Sequence, residues 1–233
     1  MIEPNVPKNA GPVHWVGPAE PGYDATGLIH CILLPQEAGA NRPVPAVVMV
    51  HGWGGDESVM WIFKQVIPVG VAIITPRAPI GLDEGGAIWF QRDGQGLQKA
   101  VVRLEHFLAG LPDVYPLEPE RLLLMGFSQG TAVINSLVMT RPVAVSGVAS
   151  LSGQLPEGMG EQNQVDSLAG LPVFIAHGTE DDTIPLGEAQ RTRDAYTRLG
   201  AAVTYGEYRV GHKLNSQGMG DLKMWVAGVM GEV

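Results

Sequence analysis

The sequence contains one cysteine, Cys31, in 233 residues. A disulfide framework and a cysteine-built zinc site are therefore excluded. Basic residues are also few, 15 Lys and Arg against 24 Asp and Glu, for a formal net charge of -9. No two of the 15 are adjacent, so the clustered cation needed to hold a nucleic-acid backbone is missing, and a nucleic-acid partner is not expected. Long apolar runs are absent too. The longest candidate, residues 66–74, is broken by Pro68 and Gly70, and no membrane span is expected. The opening residues, Met1 to Pro7, show neither a basic n-region nor an apolar h-region, which makes a cytoplasmic location the default expectation.

What is present suits a globular chain. Hydrophobic residues make 45 % and charged residues 17 %, so the bulk is not intrinsically disordered. The 31 glycines and 18 prolines, about 21 % of the chain, stay below the roughly 25–30 % of low-complexity sequence. The length fits one large α/β domain over residues 1–233. The loosest regions are the first 26 residues and Gly153 to Gly170. The latter includes the polar stretch Glu157 to Gln164 and reads as a surface loop between buried strands.

Short apolar runs recur and end in turn signals: Ala46–Val50, Val71–Ile74, Leu122–Met125, Val173–Ala176 and a less regular Val145–Ala149. Such runs fit strands buried on both faces of a parallel sheet. Helical patterns fall between them. Leu97, Val101, Leu104, Leu108 and Leu111 step by 4, 3, 4 and 3 and form one apolar stripe, which Pro112 is expected to end. Further helices are expected over residues 57–67, over 185–199 with Ala189, Tyr196 and Leu199 inward, and near the C-terminus through Leu222, Trp225, Val226 and Val229. Alternating strand and helix predicts a doubly wound, mostly parallel sheet. Two early strands, Val13–Val16 and Leu28–Leu34, are too close for a helical crossover and predict an antiparallel N-terminal edge.

Three segments carry chemistry. Gly126-Phe127-Ser128-Gln129-Gly130 joins the run Leu122–Met125 to a helix-compatible stretch. A serine on so sharp a strand-to-helix turn stands at the helix N-terminus, where free N–H groups favour a developing oxyanion. A nucleophilic serine needs a base, and the base needs an acid, in the order Ser, Asp or Glu, His. After Ser128 come only His177, which ends a strand run, and His212, which follows the possible strand Val203–Val210. The loop after His177 holds Glu180, Asp181 and Asp182. A solitary histidine before a helix, or an acidic loop, is ordinarily just a cap or a solvated turn. Their joint occurrence in this order points instead to a triad built on Ser128, His212 and one of the three acids. The third segment, His51-Gly52-Trp53-Gly54-Gly55, follows the run Ala46–Val50. It makes the N–H groups of Trp53 and Gln129 the candidate oxyanion donors.

Cys31 lies inside an apolar run and reads as a buried structural thiol. Asp56, Glu57, Asp83 and Glu84 have no histidine at ligand spacing and read as solvated loops, so no metal is expected.

With Ala78-Pro79, Trp89-Phe90, Leu117-Glu118-Pro119-Glu120-Arg121, His177-Gly178 followed by Asp181 and Ile184-Pro185, and Gly211-His212, the sequence resembles the phospholipase/carboxylesterase family of α/β-hydrolases. That family includes bacterial carboxylesterases and acyl-protein thioesterases. The similarity runs from about residue 44 to 230. It implies the α/β-hydrolase fold, Ser128 as nucleophile, Asp181 as the triad acid, His212 as base, and no cofactor. Thr131 stands where the family often has glycine, residues 81–86 are acidic and glycine-rich, and residues 91–96 do not form a long apolar lid. These departures concern the substrate more than the reacting groups.

The reading is a serine carboxylesterase acting on soluble short- to medium-chain esters. Trp53, Trp89 and Phe90 are expected at the rim of the site. A thioesterase or lysophospholipase with the same triad is the alternative. A non-catalytic binding protein on the same fold is a remote rival, since it predicts a damaged triad. The partner expected is a small-molecule ester, and the chain is compatible with a monomer or a homodimer.

Overall fold

A computed structural model describes residues 13–156, 165 and 167–231. Most of the polar loop expected between Gly153 and Gly170, including Glu157 to Gln164, lies outside the described residues, as do residues 1–12.

The centre is an eight-stranded sheet. In chain order its strands are β1 (His14–Val16), β2 (His30–Leu33), β3 (Val44–Val50), β4 (Ala72–Pro76), β7 (Leu117–Phe127), β8 (Gly147–Leu151), β9 (Pro172–Gly178) and β10 (Ala202–Tyr208). Their spatial order is β1-β2-β4-β3-β7-β8-β9-β10. β1 and β2 run antiparallel to their neighbours and the remaining pairs are parallel, as the sequence predicts. A separate hairpin pairs β5 (Ile80–Gly81) with β6 (Ala87–Ile88). The apolar runs did not signal it, because each arm is only two residues long.

The strands are apolar throughout because both faces are covered. All seven residues of β3 are buried. Ala46, Val48 and Val50 enter one core with Ile74, Leu124 and Ile175. Alternate residues Val47 and Met49 enter a second core with Ile73, Met125 and Phe174. The first core is closed by α1 (Pro21–Thr26), α2 (Leu97–Val114), α3 (Gln129–Thr140) and α4 (Leu186–Arg198). The second is closed by residues Val59–Val66 and α5 (Ser216–Met230). Residues 130–140 of α3 are all buried, as befits a helix apolar on every side.

Three local expectations need correcting. Pro112 does not end α2, which runs on to Val114, with Tyr115 N–H closing it on Leu111 O. A proline one turn from a helix end costs one hydrogen bond where few remain to be lost. Residues 57–67 form a 3₁₀ helix over Val59–Val66, whose ends are bonded from Trp61 N–H to Ser58 O and from Ile67 N–H to Lys64 O. β7 starts at Leu117, five residues before the apolar run. Its register against β3 jumps from Val44–Leu117 to Ala46–Leu122, and Pro119, which has no N–H to give, falls in that interruption.

After β3 the chain steps outward to β4, then returns across β3 to β7 and continues the other way. The order thus reverses between β3 and β7. In such sheets the crevice beyond the carboxyl ends of the strands at that reversal is where ligands bind. Residues 51–55 and Ser128 leave the sheet there.

Close helix packing depends on Gly110, where an added Cβ would lie 2.2 Å from Ala25 O of α1. Gly220 of α5 has nothing within 4 Å of such a carbon. Gly110→Ala is therefore expected to destabilise by about 1–3 kcal/mol, and Gly220→Ala to stabilise by about 0.5–1 kcal/mol. Urea unfolding of the two variants checks both signs; equal effects contradict the packing described.

Candidate active site

Ser128 sits between β7 and α3 with φ 52° and ψ -118°. It and Ser152 are the two non-glycine residues at positive φ among the described residues. Such a conformation costs on the order of 1–3 kcal/mol and persists only when its surroundings impose it. Here the flanking glycines let the backbone close up. An added Cβ on Gly130 would fall 2.2 Å from Val50 O, and one on Gly126 would fall 2.8 Å from Thr131 N. Ser128 N–H donates to Leu151 O at 3.0 Å, and both N–H and Oγ1–H of Thr131 donate to Ser128 O, at 3.0 and 2.6 Å. The Thr131 hydroxyl also accepts from Gln154 N–H at 3.1 Å, so this threonine ties the turn to the segment after β8.

His212 follows β10 and Asp181 follows β9. His212 Nδ1–H donates to Asp181 Oδ2 at 2.7 Å, and Ser128 Oγ–H donates to His212 Nε2 at 2.9 Å. The loops bearing Asp181 and His212 are locked together by backbone bonds, Thr179 N–H to Tyr208 O and Glu180 N–H to Val210 O. Gly178 permits that approach, since its Cβ would lie 2.2 Å from both Val210 O and Gly211 O. Of the three adjacent acids, Asp181 is the one that meets His212. Glu180 pairs outward with Arg209 at 2.8 Å, and Asp182 is exposed.

The Asp181 side chain is fully buried. Burial alone pushes its carboxyl pKa up. Donation from Ile184 N–H, His212 and Thr183 N–H outweighs that and holds it below the ordinary value, so the group stays ionised. His177 braces the same loop by donating from Nε2 to Ile184 O at 2.8 Å.

The segment after β3 is held by His51, which the glycine pattern did not single out. Its Nδ1–H donates to Gly52 O at 2.7 Å, and its Nε2 accepts from Ala78 N–H at 2.9 Å. Gly52 O also accepts from Gly55 N–H at 3.2 Å. In a trans peptide the carbonyl and the following N–H point oppositely. Anchoring Gly52 O to His51 thus turns Trp53 N–H away from the imidazole. Gly52 itself lies against the Ser128 turn, with an added Cβ only 3.0 Å from Ser128 Cβ. Gln129 supplies the first N–H of α3. Its side-chain amide accepts from Trp89 N–H at 2.9 Å and donates to Phe90 O at 2.8 Å, a brace that no sequence pattern signalled.

These groups open on a cavity of about 640 Å³. Ser128, His212, Gln129, Trp53 and Phe90 line it, with Met60, Phe63 and Phe127 as apolar wall. Trp89 is a correction. It is 1 % exposed and does not line the cavity, because its indole N–H is committed to His51 O at 2.9 Å. Cys31 is buried in β2, where burial and the charges of Glu57 and Asp56 push its thiol up to about 12. Asp56 is occupied by Ser58, and Glu57 by Trp15 and Arg77.

A mostly parallel sheet with a serine on the turn after a central strand, and an acid and a histidine on later loops, defines an α/β-hydrolase. The phospholipase/carboxylesterase family model matches residues 36–230, and the chain belongs to that family. It is a serine hydrolase of carboxylic esters. It is similar to acyl-protein thioesterase 1 of Debaryomyces hansenii, 27 % identical over 192 residues covering 70 % of this chain and 81 % of that protein. A probable carboxylesterase of Oryza sativa subsp. japonica is 24 % identical over 214 residues, covering 82 % and 80 %. The carboxylesterase of Bacillus cereus shares the fold with a TM-score of 0.76 at 22 % identity, covering 89 % of this chain and 97 % of that one. Among the described residues no helix is long and apolar enough to cross a membrane.

Both bonds of His51 require the neutral ring. Burial lowers its pKa from the ordinary 6.5, opposed only in part by the bond to Gly52 O and the charges of Asp56 and Glu57. His30, which donates to Leu28 O and accepts from Tyr115 O–H, is lowered by burial as well. Below about pH 6.5 the unfolded chain takes up protons that the folded chain resists. Stability should therefore fall with falling pH, by up to about 1.4 kcal/mol per pH unit for each group. Urea midpoints between pH 7.5 and 5.5 test this, and a pH-independent midpoint contradicts it.

Proposed function

We propose that the protein is a serine carboxylesterase that hydrolyses soluble short- to medium-chain esters through an acyl-enzyme. The observation that carries the reading is the continuous path from Asp181 Oδ2 through both nitrogens of His212 to Ser128 Oγ, at 2.7 and 2.9 Å. Ser128 Oγ attacks the ester carbonyl carbon while His212 Nε2 takes its proton. The tetrahedral oxyanion is held by the N–H groups of Trp53 and Gln129. Collapse expels the alcohol, protonated by His212, and leaves the acyl group on Ser128. His212 then takes a proton from water, whose oxygen attacks the acyl carbon, and returns that proton to Ser128 Oγ as the acyl–Oγ bond breaks and the acid is freed. Asp181 stays ionised throughout, holding the Nδ1–H tautomer and balancing the imidazolium.

Ser128→Ala is expected to lower ester hydrolysis by on the order of 10³-fold or more. A fluorophosphonate should label Ser128 in the native protein. Asp181→Asn should lower kcat steeply, because an amide can present a donor to Nδ1 and favour the wrong tautomer. Asp182→Asn should be mild. Steady-state rates and peptide mapping of the label read all of these; full activity of the alanine variant refutes the mechanism.

The cavity offers Met60, Phe63 and Phe127 to an acyl chain, which supports esters rather than highly polar substrates. Each methylene that fits should gain up to about 0.8 kcal/mol until the apolar wall ends. The expected profile from acetate to palmitate therefore rises and then stops or reverses within medium chain lengths, under conditions that keep every ester monomeric. Acyl-protein thioesterases among the relatives favour a second reading, in which the leaving group is a thiol. Matched oxygen and thiol esters separate the two. A rise continuing to palmitate, or a large thioester preference, moves the assignment to that second reading or to a lysophospholipase.

A further inference from the structure

Among the described residues, the cavity wall carries one permanent charge outside the groups already assigned. Arg92 lines the cavity beside Trp53 and Phe90. Its guanidinium carbon lies 4.6 Å from the centroid of the Trp53 ring. A guanidinium on an aromatic face is held by the ring's quadrupole, while its N–H groups stay free to meet a second partner. No carboxylate or carbonyl takes those N–H groups among the described residues. Asp93, the next residue, turns its carboxylate to Gln95 N–H at 3.0 Å. Asp181, the acid of the proposed triad, has a fully buried side chain and does not line the cavity.

The setting makes an unspent arginine informative. The chain is acidic overall, at -9, and its field disfavours anions in general. Several other arginines find acidic partners, as in Arg77 with Glu57, Arg121 with Glu118, Arg191 with Glu188 and Arg209 with Glu180. Arg92 is instead docked on an aromatic ring at the catalytic cavity. A guanidinium fork matches a carboxylate or phosphate through two parallel N–H···O bonds. The rest of the cavity is apolar or neutral at Met60, Phe63, Phe127 and Gln129. A substrate that suits both parts has a hydrocarbon portion and an anionic group on one molecule.

Resting on the esterase reading above, we propose that Arg92 is a specificity residue that selects esters carrying an anionic group, a carboxylate in the simplest case. Trp53 links this selection to the chemistry, because its ring supports Arg92 and its backbone N–H is a proposed oxyanion donor. The anion can sit on the acid side or the alcohol side of the ester, and matched probes distinguish these.

The test compares kcat/KM for two isosteric pairs. Monoethyl glutarate is set against its terminal amide for an anion on the acid side. 3-Butanoyloxypropanoate is set against its amide for one on the alcohol side. The native protein should prefer the carboxylate at least tenfold in one pair, and 0.5 M salt should reduce that preference. Arg92→Gln should cut the same carboxylate-to-amide ratio at least tenfold. Fluorophosphonate labelling of Ser128 in both proteins reports independently on the esterase reading. No preference in either pair, or a ratio unchanged in the variant, with Ser128 still labelled and the neutral esters hydrolysed, overturns the role of Arg92 alone. If Ser128 is not labelled and no ester is hydrolysed, both readings fall together.

Discussion

A methyl group placed on Gly130 would lie 2.2 Å from Val50 O, which no folded backbone tolerates. That contact joins the start of α3 to the end of β3, and the geometry beyond the sheet follows from it. Because α3 begins so near β3, the chain leaving β7 has one residue in which to reverse, and Ser128 takes the strained φ of 52°. The same closeness brings the residues after β3 against the turn, so that a side chain on Gly52 would crowd Ser128 Cβ. The strain is local, but the restraints on it reach β8 through Leu151 O and the next loop through Thr131 and Gln154. A cavity wall fixed from three strands can hold donors in place before a substrate arrives, which is what electrostatic preorganisation requires.

Histidines divide by environment. His30, His51 and His177 are buried, and each donates one ring N–H to a backbone carbonyl, at Leu28, Gly52 and Ile184. They tie together segments that share no secondary structure. His51 also accepts from Ala78, so it spans the ends of β3 and β4. His212 differs in being 22 % exposed and in meeting a side chain at each nitrogen, Asp181 at Nδ1 and Ser128 at Nε2. The contrast separates imidazoles buried in the fold from the one that joins two side chains at the cavity.

The sheet was legible because strands buried on both faces leave little freedom of composition. Val44–Val50 and Pro172–Gly178 are written almost wholly in apolar residues, and the antiparallel edge followed from the short spacing of β1 and β2. The 3₁₀ geometry of residues 59–66 was not legible, since Met60, Phe63 and Val66 at intervals of three satisfy either kind of short helix. Ser128 and His212 stood out through their places after strand runs. Choosing among Glu180, Asp181 and Asp182 depended on the motif, because adjacent acids differ only in where a tight turn points them. Trp89 was misplaced for a related reason. An aromatic beside a glycine-rich segment gives no sign of which way its ring faces, and here a bond to His51 O draws the indole inward.

What composition and spacing could not reveal is the coupling between loops. The Gln129 amide grips both Trp89 N–H and Phe90 O, so the residue after the proposed nucleophile also sets the segment that ends at Arg92. The hairpin of β5 and β6 enters the same unit, with Gly54 N–H donating to Ala87 O and Ala87 N–H donating to Gly55 O. Trp53 is thereby held from behind by the hairpin and carries Arg92 in front. The segments after β3, β6 and β7 therefore form one hydrogen-bonded block. A displacement of Trp53 or Arg92 by a bound group would be resisted by the bonds that orient the proposed oxyanion donors. In this architecture the proposed specificity residue and the proposed oxyanion donors share the same supports, and a change to one is felt by the other.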